Sequence, residues 1–302
     1  MDRSDPSRLS ERTPIALAIA GSDSGGGAGI QADLRTLAAL GVYGASVVTA
    51  VTAQNTHGVR AVHFVPAEMV RAQIEAVMED FAVAAIKIGM LGNAGIVEAV
   101  ADAVGFPSPQ PSPQGGGGAP LLPLGEGGPK GRMRAVVYDP VMAASSGDAL
   151  SAAGFVAAVR SKLLPLVDCL TPNLAEASAL LGEPVARNEA EMARQGEAFL
   201  QLGPGAVLMK GGHLEGAKAI DLLVTANGVH RFAAQKLASK NLHGTGCTLS
   251  SAIAAFLVRG EPLLNAAPLA KAFVSKAIAR GSLLGLGAGA GPLIQSNLFA
   301  RR

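Results

Sequence analysis

Short apolar runs alternate along the chain with segments that have the periodicity of amphipathic helices. The run "IALAIAG" (15–21) is followed by a glycine-rich turn and then by apolar residues at helical spacing, Ile30, Leu34, Leu37 and Leu40. The segment 66–81 opens with proline and an acid, as helices do. Further runs rich in β-formers begin at 45, 84, 135, 167 and 205. This alternation predicts an α/β protein with a mostly parallel sheet between two helical layers.

The alternation of strand and helix patterns breaks off in the last third of the chain and in one internal segment. Asn-Gly between two apolar runs predicts a β-hairpin over 219–232, and two helices, 246–259 and about 264–284, follow it. The segment 106–133 is dominated by Pro, Gly, Ser and Gln, without periodicity. We therefore expect a disordered N-terminus (1–13) and a single domain (14–302) interrupted by a disordered insertion at 106–133.

Composition excludes several classes of protein. The 302 residues are 49% hydrophobic and 16% charged, with a net charge of +2 and no tryptophan. The chain therefore has neither the strong positive charge nor the many aromatic side chains with which proteins bind nucleic acid. The N-terminus has no apolar signal region, and no apolar run reaches the length of a membrane span. Two distant cysteines indicate neither a disulfide framework nor a zinc site. We expect a cytoplasmic protein whose partner is a small molecule.

The first chemical candidate is the glycine-rich turn within "AGSDSGGGAGIQAD" (20–33). Its backbone amides can converge on an anion or a small ring. The alternative is a tight turn that needs glycine for positive φ. A dinucleotide site is disfavoured, because Ala53, Gln54 and Asn55 stand where the ribose-binding acid is expected. A Walker A loop is disfavoured because no Lys-Ser/Thr follows the glycines.

Polar residues near the predicted strand ends form a second group of candidates. Asp33, placed in the first turn of its helix, and Gln54, at a strand end, can together read the donor and acceptor edge of a heterocycle. For Asp33 the alternative is stabilisation by the helix dipole. Asp139 and Glu176 are candidate magnesium ligands, because magnesium prefers oxygen.

Two further residues after strands have simple structural alternatives. Lys210 can neutralise phosphate, although a lysine in an exposed salt bridge is the commoner finding. Asn173 can cap the helix that Glu176 then supports.

The stretch "HGTGCTLSSAIAA" (243–255) is the most specific motif. Gly244, Thr245 and Gly246 before a helix present unpaired amides, which form a site for phosphate or a developing oxyanion. We expect the helix terminus to lower the pKa of the Cys247 thiol. The alternative is a buried small hydrophobe at the start of a core helix.

These motifs together resemble a known family. "GSDSGGGAGIQADLRT", "TAVTAQNTHGV", "IKIGML", "TPNLAEA", "VLMKGGH" and "HGTGCTLSSAIAA" are similar to the hydroxymethylpyrimidine/phosphomethylpyrimidine kinases of thiamine biosynthesis, in the ribokinase superfamily. The resemblance implies a three-layer α/β/α sandwich, usually dimeric. It also implies that ATP phosphorylates 4-amino-5-hydroxymethyl-2-methylpyrimidine, and then its monophosphate, in the same site.

The same resemblance assigns roles to the candidate residues. The pyrimidine pocket would be lined by Gly21, Asp33, Gln54 and Met90. The anion hole would be Gly244, Thr245 and Gly246, with Cys247 as the general base. Asp139 and Glu176 would lie near Mg²⁺, and Lys210, with Asn173, near the phosphates of ATP.

Two departures from the family pattern keep other functions open. Ser145 stands where the family commonly has a lysine, and the insertion at 106–133 is foreign to the pattern. The alternatives are a pyridoxal kinase of the same superfamily and a non-catalytic protein that binds a vitamin precursor.

Overall fold

The computed structural model describes residues 13–105, 134–142, 154–212 and 214–296. Ser145, the segment 106–133 and all but the last residue of the expected disordered N-terminus lie outside the described residues. The strands are β1 Ile15–Asp23, β2 Tyr43–Asn55, β3 Gly58–Phe64, β4 Ala85–Ile88, β5 Ala135–Tyr138, β6 Cys169–Leu170, β7 Ala206–Gly211, β8 Lys218–Thr225 and β9 Gly228–Gln235. The helices are α1 Gly29–Ala39, α2 Ala67–Asp80, α3 Ala94–Gly105, α4 Phe155–Ala158, α5 Leu174–Leu181, α6 Glu189–Leu200, α7 Thr245–Val258 and α8 Leu263–Gly281.

The nine strands form one sheet in the order β3-β2-β1-β4-β5-β6-β7-β8-β9. The strands from β2 to β7 in that order pair in parallel, while β3, β8 and β9 are antiparallel to their neighbours. The predicted hairpin is confirmed as β8 and β9. Strand β3 was not predicted, because it lies at the sheet edge and its partly exposed side chains give a weak hydrophobic pattern.

Helices cover both faces of the sheet, which confirms the predicted three layers. One core packs the sheet against α2, α3, α5 and α6. A second core, on the other face, is formed largely by α7 and α8 and includes Leu37 of α1. Several parallel strands are short and wholly buried. The polar residues that follow these strands therefore lie together at the carboxyl edge of the sheet.

No helix in the described part of the chain is both long enough and apolar enough to cross a membrane.

Candidate active site

A lysine and two carboxylates meet at the carboxyl edge of the sheet. Nζ of Lys210, in β7, lies 2.6 Å from Oδ1 of Asp139 and 3.7 Å from Oε2 of Glu176. Asp139 directly follows β5 and is 1% exposed, and the side chain of Lys210 is only 15% exposed. The structure therefore brings these three predicted residues together, and Lys210 is not in the exposed salt bridge considered as its alternative.

Asn173 and Glu176 form a reciprocal cap on α5. The Glu176 amide donates to Oδ1 of Asn173 at 2.9 Å, and the Asn173 amide donates to Oε2 of Glu176 at 2.7 Å. The capping role considered for Asn173 is confirmed, while its contact with ATP stays a prediction. Burial raises the pKa of Glu176 to about 7, against the opposing effect of Lys210.

The residues at this edge fit a magnesium ion. Oδ2 of Asp139 is buried and has no hydrogen-bond partner, which leaves one carboxylate oxygen without compensation. Within the described ranges no group of three or more His, Cys, Asp or Glu side chains is placed to hold a metal. Two protein carboxylates are nevertheless an ordinary complement for magnesium, which usually keeps several waters and is bound through substrate phosphates.

The N-terminus of α7 lies against the same cluster. Gly244, the residue before α7, has φ +87°, and a Cβ there would come within 2.0 Å of the Gly27 carbonyl oxygen. A Cβ at Gly246 would lie 3.0 Å from Oδ2 of Asp139 and 3.3 Å from Nζ of Lys210. No side chain caps this end of α7. The Thr245 amide, however, donates to the carbonyl oxygen of Leu242 at 3.2 Å, so the prediction of three unpaired amides is wrong for Thr245, whose backbone closes a local turn. Close approach and positive φ therefore require glycine at position 244, whereas a side chain at position 246 would crowd Asp139 and Lys210, and the helix terminus lies directly beside the cation and the carboxylate.

Cys247, in the first turn of α7, has an environment opposite to the one expected. Burial raises the pKa of its thiol to about 11. The charge of Lys87 lowers this pKa, but Asp33 and Asp139 raise it again. The prediction of a lowered pKa is wrong, because the loss of water and two carboxylates outweigh Lys87 and a hydrogen bond with the Gly29 backbone.

Alkylation of Cys247 should therefore be slow at neutral pH. The thiolate is the reactive form, so the rate with iodoacetamide should rise about tenfold per pH unit up to about pH 11. Mass spectrometry of the modified peptide measures the rate, and free cysteine, which levels off near its ordinary pKa, is the control. A rate that is already constant between pH 7 and 9 would contradict the raised pKa.

Asp33 is buried in an ion pair rather than open to solvent. Nζ of Lys87 donates to both Asp33 carboxylate oxygens at 2.8 Å, and Oγ of Ser251 donates to Oδ1 at 2.8 Å. Both charged side chains are 0% exposed. Asp33 lies in the second turn of α1, so the first-turn placement is wrong: the helix begins at Gly29 and has no acid in its first turn. Its contact with a substrate stays a prediction.

Gly21 and Met90 lie together. A Cβ at Gly21 would come within 3.0 Å of Sδ of Met90. Met90 is nearly buried beside Ala50, and its carbonyl accepts a hydrogen bond from Thr49 at 2.6 Å. Such an apolar wall suits one face of a flat heterocycle.

Gln54 lies beside a histidine. Its Nε2 is 3.2 Å from Nε2 of His243, and both residues line a cleft of about 260 Å³ with residues 55–58, 289 and 290. Its lining of the pyrimidine pocket stays a prediction.

Sequence reasoning did not assign roles to Asp23, His243 and Lys87. Asp23 accepts hydrogen bonds from the amides of Gly25, Gly27 and Ala28, and so shapes the glycine-rich turn. Gly26 and Gly29 in this turn have positive φ, so the tight-turn reading of the glycines is confirmed. The available signal for Lys87 was a single lysine inside an apolar strand, which requires a buried partner.

Comparison with known proteins decides the family. The model of the family described as phosphomethylpyrimidine kinase matches residues 23–111 and 129–294. A hydroxymethylpyrimidine/phosphomethylpyrimidine kinase of Rhizobium meliloti (strain 1021) is 51% identical over 281 residues, which are 93% of this chain and 96% of the relative. The chain belongs to the phosphomethylpyrimidine kinase family. The recognised family, and with it the enzyme class of a kinase, are confirmed.

Solved structures agree on the fold. A phosphomethylpyrimidine kinase from Clostridium difficile 630 is 39% identical, with a TM-score of 0.69, over 87% of this chain and 99% of that one. A Bacillus subtilis pyridoxal kinase in an ADP complex is 30% identical, with a TM-score of 0.78, over 95% of this chain and 99% of that one. The ribokinase-like fold is therefore confirmed. Because both activities occur on it, the fold alone does not choose between them.

Proposed function

We propose that this chain uses ATP and Mg²⁺ to phosphorylate 4-amino-5-hydroxymethyl-2-methylpyrimidine to its monophosphate and then to the diphosphate, in thiamine biosynthesis. The observation that carries the proposal is the placement of the α7 N-terminus against Lys210 and Asp139. Membership of the phosphomethylpyrimidine kinase family, at 51% identity to one such enzyme, supports the choice of substrate.

The cluster supplies what phosphoryl transfer needs. The transition state carries negative charge on its equatorial oxygens, so catalysis consists mainly of positioning and charge stabilisation. Lys210 provides one positive charge, and the backbone amides at the start of α7 other than that of Thr245, which is paired with Leu242, would provide oriented donors. When bound, magnesium would neutralise phosphate charge, held directly or through water by Asp139 and Glu176. Asn173 would stand near the phosphates.

The substrate would lie at the other side of the α7 terminus. Gly21 and Met90 would give the pyrimidine an apolar wall, and Gln54 would meet its polar edge. A contact with Asp33 would require its carboxylate, which is 0% exposed and paired with Lys87 and Ser251, to become accessible. Cys247 would face the hydroxymethyl oxygen. Because the thiol holds its proton in the free enzyme, a role as base requires it to ionise in the complex.

Product analysis tests the proposal. With hydroxymethylpyrimidine, ATP and Mg²⁺, mass spectrometry should show the monophosphate first and the diphosphate later. Pyridoxal under the same conditions is the comparison, since the pyridoxal kinase fold is shared. Turnover of pyridoxal alone would assign the chain to the rival activity. Binding of hydroxymethylpyrimidine in titration calorimetry without turnover would favour the non-catalytic alternative, for which Ser145 in place of the family lysine is the motive.

We further expect a homodimer in the cytoplasm. Both cysteines are free, as is usual for a reducing compartment. Light scattering measures the mass, and a monomer at micromolar concentration would contradict the expected assembly.

A further inference from the structure

His243 lies between the glycine-rich turn and Gln54, just before the start of α7. Its Nε2 lies 2.9 Å from Oδ2 of Asp23 and 3.2 Å from Nε2 of Gln54. The residue is 8% exposed, and a Cβ at Gly27 would come within 2.3 Å of its Cδ2, so the ring packs tightly against the glycine-rich turn. His243 also directly precedes Gly244. Neither the predicted roles nor the proposed function uses it.

Asp23 determines which atom carries the hydrogen in this chain of contacts. Its carboxylate accepts from three backbone amides as well as facing His243. Burial opposes ionisation, but the hydrogen bonds from His243 and the backbone outweigh it and hold the pKa of Asp23 below its ordinary value. An ionised carboxylate can only accept. Nε2 of His243 therefore carries a hydrogen, whether the ring is neutral or protonated.

This hydrogen restricts the carboxamide of Gln54. A ring nitrogen that donates cannot also accept from an NH₂ group, and rotation by 180° exchanges the carboxamide oxygen and nitrogen. The orientation with the carbonyl oxygen toward His243 is therefore favoured. The other terminal atom of the Gln54 carboxamide lies 3.2 Å from Oγ1 of Thr52. This hydroxyl can accept a hydrogen bond from an NH₂ group as readily as it can donate one to a carbonyl oxygen. The NH₂ group of Gln54 thus faces away from His243.

We propose that Asp23 and His243 are positioning residues that fix the carboxamide orientation of Gln54 and thereby select a heterocycle with an unprotonated ring nitrogen. The proposal rests on the proposed function, in which Gln54 meets the polar edge of the pyrimidine. The 4-aminopyrimidine offers such a nitrogen to the NH₂ group. Its 4-oxo analogue carries a hydrogen on the adjacent ring nitrogen, so two donors would face each other and the analogue would be rejected.

A kinetic comparison tests this selection. We expect His243→Phe to keep the shape of the ring but free the carboxamide. Preference for the 4-amino over the 4-oxo substrate, as a ratio of kcat/KM, should then fall about tenfold or more, mainly through KM. His230→Phe, on the edge strand β9, is the matched control and should leave the ratio unchanged. In a Gln54→Ala background, His243→Phe should have no further effect on the ratio. The proposal would be overturned if His243→Phe left the ratio unchanged in the wild-type background, or if it lowered the ratio equally in the Gln54→Ala background.

A measurement on the unaltered enzyme does not depend on the substrate or on the activity of any variant. In protein with ¹⁵N-labelled histidine, the Nε2 shift of His243 should be that of a protonated nitrogen. Comparison with single variants of the five histidines assigns the resonance. An unprotonated Nε2 would overturn the proposal. Failure of the wild-type enzyme to phosphorylate either pyrimidine would instead refute the proposed function, and the histidine result would stand separately.

Discussion

Replacement of Lys87 by methionine is expected to lower the free energy of unfolding by about 3–5 kcal/mol, because it leaves a buried carboxylate without its partner. Lys87 and Asp33 are 0% exposed, and Lys87 donates to both oxygens of Asp33 at 2.8 Å. Burial by itself would lower the pKa of Lys87, but the charge of Asp33 outweighs it and holds that pKa above its ordinary value. Urea denaturation followed by circular dichroism measures the loss.

Two further variants separate charge from packing. The double variant Lys87→Met, Asp33→Asn has no unpaired charge and should regain a large part of the lost stability. Arg71→Met removes a surface pair with Asp102, whose side chains are 37% and 57% exposed, and should cost only about 0–1 kcal/mol. If the double variant is as unstable as Lys87→Met alone, the effect of Lys87 lies in packing and not in its charge.

The sequence predicts the parallel strands, the helical layers and part of the candidate site. Apolar runs predict the parallel strands and the two helical layers because each short strand is buried on both faces. The candidate residues Asp139 and Lys210 follow from position alone, since carboxyl ends of parallel strands share one edge. Gly246 follows from the glycines that stand at the start of a predicted helix. The motif order predicts the family because several specific segments occur in sequence.

What the sequence does not predict depends on distant partners. Asp33 and Lys87 are 54 positions apart, and His243 is 220 from Asp23, so no local pattern pairs them. The predicted pKa shift of Cys247 was wrong for the same reason. The helix terminus is a local feature, whereas the burial of the thiol and the carboxylates of Asp33 and Asp139 depend on other segments.

The largest effect on catalysis is expected at Cys247. If its sulfur accepts the alcohol proton, Cys247→Ala should lower phosphorylation of hydroxymethylpyrimidine about a hundredfold or more. Phosphorylation of the monophosphate should change little, because its acceptor oxygen is already ionised. The amides of Gly244, Thr245 and Gly246 belong to the backbone, so the anion hole is retained in the variant.

The pH dependence adds a second, independent reading of the same residue. With a thiol pKa of about 11, the thiolate fraction in the free enzyme rises throughout the range from pH 7 to 10. In the wild type the alcohol step should therefore accelerate with pH, and in Cys247→Ala this dependence should vanish. Cys247→Ser keeps a similar shape but replaces the thiol by a hydroxyl, which is a far weaker acid, so this variant should resemble the alanine variant. Single-turnover measurements on each substrate separate the two steps.

Each other result assigns Cys247 a different role. Equal losses in both steps would mean that the thiol positions the α7 terminus beside Asp139 and Lys210, with no part in the proton transfer. Full activity of Cys247→Ser with loss in Cys247→Ala would point to a hydrogen-bonding role in which ionisation is not needed. Unchanged rates in both variants would make Cys247 a small hydrophobe at the start of a core helix, which is the role that its raised pKa fits without any catalytic step.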